Sequence, residues 1–135
     1  MQDKILNLND LSKRINANSK SKGFWDEGLQ NIPEKMMLIV SELSEALEAL
    51  RKDKKYINEL DNKDVIQMLK SSDTPDKMQK EYFESNIKDT FEDEIADTLI
   101  RLLDLCGYMD IDIDFHTEAK MLYNKGRERL HGKKF

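Results

Sequence analysis

The sequence predicts an all-α protein, a bundle of four to five helices. Two long runs, over residues 36–50 and 91–108, repeat their large apolar residues at steps of three and four, the period of a helix. Only 5 Gly and 2 Pro occur in 135 residues, too few turn formers for an all-β chain. That length suits one domain around one core. The reading is a single helical domain over 1–135, with an inserted polar and helical excursion at about 51–90.

Leu8, Leu11 and Ile15 recur at helical spacing, so residues 8–20 read as a first helix, with Asn9 or Asp10 available to cap it. Glycines on both sides of Phe24 and Trp25 mark a loop. The aromatic pair can plug the end of the bundle or offer a face on which a nucleobase stacks. Pro33 suits the first turn of a second helix, where its missing N–H costs nothing, and Glu34 suits the positive end of the helix dipole. Met36, Val40, Leu43, Leu47 and Leu50 then alternate at steps of four and three, a bundle seam. Glu42 and Glu45 border that seam, with Ala46 one turn above Glu42 and Ala49 one turn above Glu45, while Glu48 falls on the polar side.

In the excursion, Val65, Ile66, Met68 and Leu69 suggest a short helix broken at Ser71-Ser72-Asp73. Thr74-Pro75-Asp76 reads as the next helix start, with Thr74 as cap and Pro75 at the first helical position. Phe83, Ile87, Phe91 and Ile95 are spaced by four, a pattern that can carry this helix on into the next. From Phe91 to Tyr108, Ile95, Ala96, Leu99, Leu102, Leu103 and Cys106 cover one side. Opposite them Glu94, Asp97, Arg101 and Asp104 form a polar stripe, which as a plain solvated face would contribute only a few tenths of a kcal/mol through its ion pairs. Gly107 is expected to close the helix. Asp110, Asp112 and Asp114 lack the central Gly and terminal Glu of a calcium loop and read as helix capping. The last helix, about 113–129, carries Phe115, Ala119 and Leu122 as its apolar side. Lys120, Asn124, Arg127 and His131 share another face, followed by Lys133 and Lys134.

A net charge of -5 argues against a nucleic-acid backbone as the main partner. A single cysteine, Cys106, cannot form an intramolecular disulfide, and its apolar neighbours make it a core residue. With no signal peptide and no uncharged run near the roughly 20 residues of a membrane span, the expected location is the cytoplasm.

Glu42-x-x-Glu45 and Glu94-x-x-Asp97 place four carboxylates where antiparallel helices can gather them. Carboxylates so gathered repel, and the cluster is unstable unless protonated or filled by cations. An all-oxygen set without Cys or His selects a hard ion, Mg²⁺ or Mn²⁺. A di-iron bundle requires Glu-x-x-His on two helices, and that spacing occurs only at Glu128–His131. There is no Walker loop and no credible Ser-His-Asp or Cys-His set, which leaves water as the nucleophile. Acids holding Mg²⁺ beside a Lys/Arg face suit a polyphosphate substrate.

Lys22-Gly-Phe-Trp-Asp26, Ser41-Glu-Leu-Ser-Glu-Ala-Leu-Glu-Ala-Leu-Arg51, Glu94-Ile-Ala-Asp97 and Tyr123-Asn-Lys-Gly-Arg127 through His131-Gly-Lys-Lys-Phe135 together resemble the MazG-like, all-α nucleoside triphosphate pyrophosphohydrolases. The resemblance covers most of the chain outside 51–90 and lies in the combination and order of these segments. It implies the bundle of that family, a homodimer or homotetramer, and Mg²⁺-dependent hydrolysis of a (d)NTP to (d)NMP and pyrophosphate. Metal ligation would fall to Glu42, Glu45, Glu94 and Asp97, with Glu45 and Glu94 serving catalysis. Lys120, Asn124, Arg127, Lys133 and Lys134 would hold phosphates, and Asn18 and Trp25 would lie near the base or sugar. Ser41 stands where the wider family often has Glu, and the segment between Glu45 and Glu94 is longer than usual. Two other roles keep the same pocket: a non-catalytic nucleotide-sensing helical protein, and an enzyme like phosphoribosyl-ATP pyrophosphohydrolase.

Overall fold

A computed structural model describes residues 7–26 and 28–134, with the side chain of His131 also outside the described set. Among the described residues every regular element is helical: α1 (Leu8–Ser21), α2 (Ile32–Arg51), α3 (Asn62–Lys70), α4 (Asp76–Asn86), α5 (Phe91–Tyr108), α6 (Ile113–Lys125) and a 3₁₀ turn at Arg129–Gly132. The all-α expectation holds. None of these helices is long and apolar enough to cross a membrane. The chain divides into two compact units, one made of residues 1–32 and 100–135, the other of residues 33–99.

In the first unit α1 lies against α6, and the two helices cap each other. The backbone N–H groups of Leu8 and Asn9 donate to the Asp114 carboxylate at 2.8 and 3.3 Å, and the Asp114 N–H returns a bond to Asn9 Oδ1 at 3.2 Å. Asp112, the α6 N-cap, accepts from the Phe115 N–H and from the Asn9 side chain. The expected cap for α1 is thereby corrected. Asn7 occupies the N-cap without a side-chain bond, and the orphan N–H groups are satisfied by an acid from a distant helix.

The deepest residues of α1 are Ser12 and Asn16 rather than Leu8, Leu11 and Ile15, which are half-buried. Ser12 Oγ donates to the Leu103 carbonyl. Small polar residues sit there because the C-terminal half of α5 comes very close: a Cβ placed on Gly107 would lie 2.7 Å from the Ser12 carbonyl oxygen and 2.8 Å from Asn16 Cβ. Gly107 lies in the last turn of α5, one residue before its end at Tyr108, where it also permits two backbones to approach. Gly107→Ala should overpack this contact and lower the unfolding free energy by about 1–3 kcal/mol, read from urea denaturation. A change within experimental error would contradict the close approach. The apolar side expected for α6 is also corrected: Phe115, Ala119 and Leu122 are exposed, and the more enclosed positions are Ile113, Asp114, Thr117 and Asn124.

In the second unit the excursion folds into α3 and α4. Asp61 caps α3, accepting from the Lys63 N–H at 2.8 Å. The turn into α4 is held by the Gln79 amide, which donates to the carbonyls of Met68, Ser71 and Thr74. Helix α4 begins at Asp76 with Pro75 as its N-cap residue, so Thr74 is not the cap. Nor does α4 run on into α5. The chain leaves the helix at Ile87, and Asp89 adopts a positive φ of 62°, which no helix continues through. Thr90 restarts it, accepting from the Asp93 N–H at 3.2 Å. The Phe91 N–H donates to the Lys54 carbonyl and the Tyr56 N–H to Glu92, which pins residues 54–56 to the start of α5.

Helix α2 differs most from expectation. Its buried residues are Ala46 and Ala49, on the side of Glu42 and Glu45, while Met36, Val40, Leu43, Leu47 and Leu50 are each about half exposed. The seam read from the sequence is real as a pattern. Within this chain, however, it faces outward.

Candidate metal centre

The second unit brings Glu42 and Glu45 of α2 together with Glu94 of α5. Each offers a carboxylate oxygen, and these three oxygens lie within 4.8 Å of one another. Local structure explains the convergence. Glu-x-x-Glu puts two acids on neighbouring positions of one helix face. Ala46 and Ala49 leave that face low, so a second helix can carry an acid to it. At the outer limit of that spacing, two carboxylates repel by roughly 3–4 kcal/mol at an effective dielectric of about 20.

Glu94 bears the strain of the arrangement. It is 6% exposed, and its pKa is pushed up from 4.5 to about 7, first by burial and then by the charges of Glu45, Asp97, Glu42 and Asp89. Glu42 is half-buried and Glu45 exposed, so the cluster opens to solvent on the Glu45 side. Asp97, one turn beyond Glu94, contributes to the field on Glu94, but its oxygens are not in the mutually close set. A buried carboxylate held among other carboxylates fits a small hard cation: the donors are all oxygen, and a dication would offset both the burial of the Glu94 charge and its repulsion by the neighbouring acids.

The remaining residues expected at a site belong to the first unit. Trp25 lies flat on Tyr108, with ring centroids 4.0 Å apart and planes 7° from parallel. Its indole N–H donates to both Asp104 oxygens at 3.2 Å. The same carboxylate accepts from Asn16 Nδ2 at 2.8 Å and Ser19 Oγ at 2.7 Å. One face and the polar edge of Trp25 are thus committed within the chain. Asn18 is exposed on α1.

Helix α6 ends at Lys125, short of the expected 129, so Lys120 lies on it and Arg127 just beyond it; the two flank the Tyr123 ring at 5.2 and 5.3 Å. Asn124 Oδ1 between them is buried without a hydrogen-bond partner. Lys133 and Lys134 follow the 3₁₀ turn and are exposed.

Sequence reasoning missed Asp104, Ser12, Asn16 and Tyr108. Asp104 was visible only as one member of a polar stripe, and nothing local distinguishes it from a solvated acid. Its partners lie 79 to 88 residues away in sequence. Compared with protein-family models, with curated proteins and with solved structures, the chain matches none.

Proposed function

We propose that the chain is a Mg²⁺-dependent nucleoside triphosphate pyrophosphohydrolase of the MazG-like all-α type, hydrolysing a (d)NTP to (d)NMP and pyrophosphate. The observation that carries this is the meeting of Glu42, Glu45 and Glu94, with Glu94 buried and held partly protonated at neutral pH. A buried carboxylate crowded by other carboxylates is costly while the cluster is empty, and a bound dication offsets that cost. Mg²⁺ bound there, or Mn²⁺ in its place, supplies positive charge to phosphoryl oxygens.

In this reading Glu42, Glu45 and Glu94 would hold the ion, and Asp97, one turn beyond Glu94, is the fourth acid that the resemblance assigns to it. Glu45, at the open side of the cluster, orients the attacking water toward the α-phosphorus and takes up its proton. The bond to the β-phosphate oxygen breaks, and pyrophosphate departs. The resemblance gives the triphosphate to Lys120, Asn124, Arg127, Lys133 and Lys134, whose charge would offset that of the leaving group. The resemblance would place Asn18 and Trp25 near the sugar and base.

The outward α2 seam supports a homo-oligomer, dimer or tetramer. A 4-3-4-3 repeat of large residues is the surface another helix packs against, and monomers rarely expose a continuous stripe of this kind. Sedimentation should return a multiple of 15.9 kDa; a monomer at micromolar concentration would remove the oligomer.

The decisive experiment is a pyrophosphate-release assay with Mg²⁺ over the ribo- and deoxynucleoside triphosphates, with phosphoribosyl-ATP added. Release from at least one triphosphate is expected, and none with the ion chelated. Turnover of phosphoribosyl-ATP alone selects that related enzyme. Silence throughout, with Mg²⁺-dependent nucleotide binding retained, selects a sensor.

A further inference from the structure

Main-chain hydrogen bonds in series join the two acid-bearing helices of the metal centre. At the end of α2 the Lys54 N–H donates back to the Ala49 carbonyl at 2.8 Å, and the Asp53 N–H to the Leu50 carbonyl at 3.1 Å. This pair of bonds forms only when the residue between helix and strap is left-handed, and Asp53 has a φ of 54°. The Lys54 carbonyl then accepts from the Phe91 N–H at 2.8 Å, one of the donors that the first turn of α5 cannot satisfy by itself. The Glu94 N–H donates in turn to the Thr90 carbonyl at 3.0 Å. Ala49 lies one turn above Glu45, so the series starts beside one acid of the cluster and ends on another.

Two side chains support this strap in different ways. Glu92, on the first turn of α5, accepts from the Tyr56 N–H at 2.8 Å and holds the far end of the strap. Asp53 acts through its backbone. Its carboxylate pairs with Lys55 at 3.6 Å, but the two side chains are 88% and 53% exposed, and a pair in that setting contributes little. What the position supplies is the left-handed turn, which Asp and Asn tolerate, Gly adopts freely and a β-branched residue resists. Because the excursion leaves after Tyr56 and returns at Thr90, the same contacts close it at its base.

We propose that Asp53 and Glu92 are positioning residues for the metal centre: they hold residues 53–56 on the start of α5 and so set the height of Glu94 against Glu42 and Glu45. The role rests on the reading of those acids as a divalent-ion site.

Mg²⁺ calorimetry on the full folded chain tests it. D53G and D53N keep the turn and should bind Mg²⁺ within about twofold of the parent. D53V should bind about tenfold more weakly, the scale of losing a support behind metal ligands. E92A should weaken binding about threefold, and E92Q, whose amide oxygen still accepts the Tyr56 N–H, should recover most of that loss. Amide exchange without the ion shows that the effect is local: D53V should speed exchange at Phe91 and Glu94 while the amides of α1 and α6 keep the parent's rates. Should D53V prove too unstable to titrate, the comparison of E92A with E92Q decides. A parent chain that binds no Mg²⁺ removes the metal reading and the positioning role with it. Mg²⁺ bound by the parent, and equally well by D53V and E92A, overturns the role alone. So does an affinity that follows the charge at position 53, with D53N as weak as D53V.

Discussion

Glu94→Gln should make the ion-free protein more stable at neutral pH while abolishing both divalent-ion binding and pyrophosphate release. The sign follows from linkage. Glu94 has a pKa of about 7 in the folded chain against 4.5 for an unperturbed side chain. The folded state therefore binds the proton more tightly than the unfolded state, and the stability this confers is fully present below pH 4.5. It is lost as the pH rises from 4.5 through about 7. The whole loss is at most about 3 kcal/mol, with solvent reaching the cluster from the Glu45 side reducing it. Gln keeps the shape and carries no charge, so urea midpoints without divalent ions should change less between pH 5 and pH 8 in the variant than in the parent. With saturating Mg²⁺ the parent's dependence over this range should largely disappear, because the ion-bound carboxylate is unprotonated, as it is in the unfolded chain. The ion requires the carboxylate, so its affinity should rise up to about tenfold per pH unit below 7 and level off above. A variant that still binds Mg²⁺ with the parent's affinity would remove Glu94 from the metal shell. One that binds no ion yet still releases pyrophosphate would sink the enzymatic reading.

The parts of this site that could be read from the sequence are those set by local periodicity. Glu42 and Glu45 share a face because three residues span most of a helical turn, and Glu94 stands out because an acid interrupts an apolar run. The helices themselves followed from the same period, along with Pro33 in the first turn of α2. What the period does not contain is the direction in which each face turns. On α2, the row of large apolar residues and the row of Glu42, Ala46 and Ala49 are both regular. The packing buries the second, Ala46 and Ala49, on the side where Glu42 and Glu45 meet Glu94. Breaks are equally hard to read where side-chain spacing continues across them. Phe83, Ile87, Phe91 and Ile95 keep a step of four through a backbone that leaves the helix at Asp89.

Long-range polar networks are the least legible feature, and Asp104 is the test of how much they matter. Its carboxylate gathers Asn16 Nδ2, Ser19 Oγ and the Trp25 indole N–H, donors from α1 and from the loop that follows it. Asn16 is buried, so removing its partner leaves a donor with little water to turn to. Asp104→Ala should cost about 2–4 kcal/mol in urea denaturation, the scale of a broken, partly buried network around a charged acceptor. Asp104→Asn should cost less, about 1–2 kcal/mol, because one oxygen still accepts.

Trp25 is the chain's single tryptophan, which gives the same variants a local readout. Freed from Asp104, the indole should loosen from its 4.0 Å stack on Tyr108, and its emission should shift to the red and become more accessible to quenchers. If Trp25 also receives the nucleobase, Asp104→Asn should raise KM for the triphosphate more than it lowers kcat, since the ring would be misplaced while the acids at Glu42, Glu45 and Glu94 stay untouched. Unchanged stability together with unchanged emission would show that the network contributes nothing. A kcat loss at constant KM would instead give Asp104 a part in the chemistry that its contacts with Asn16, Ser19 and Trp25 do not suggest.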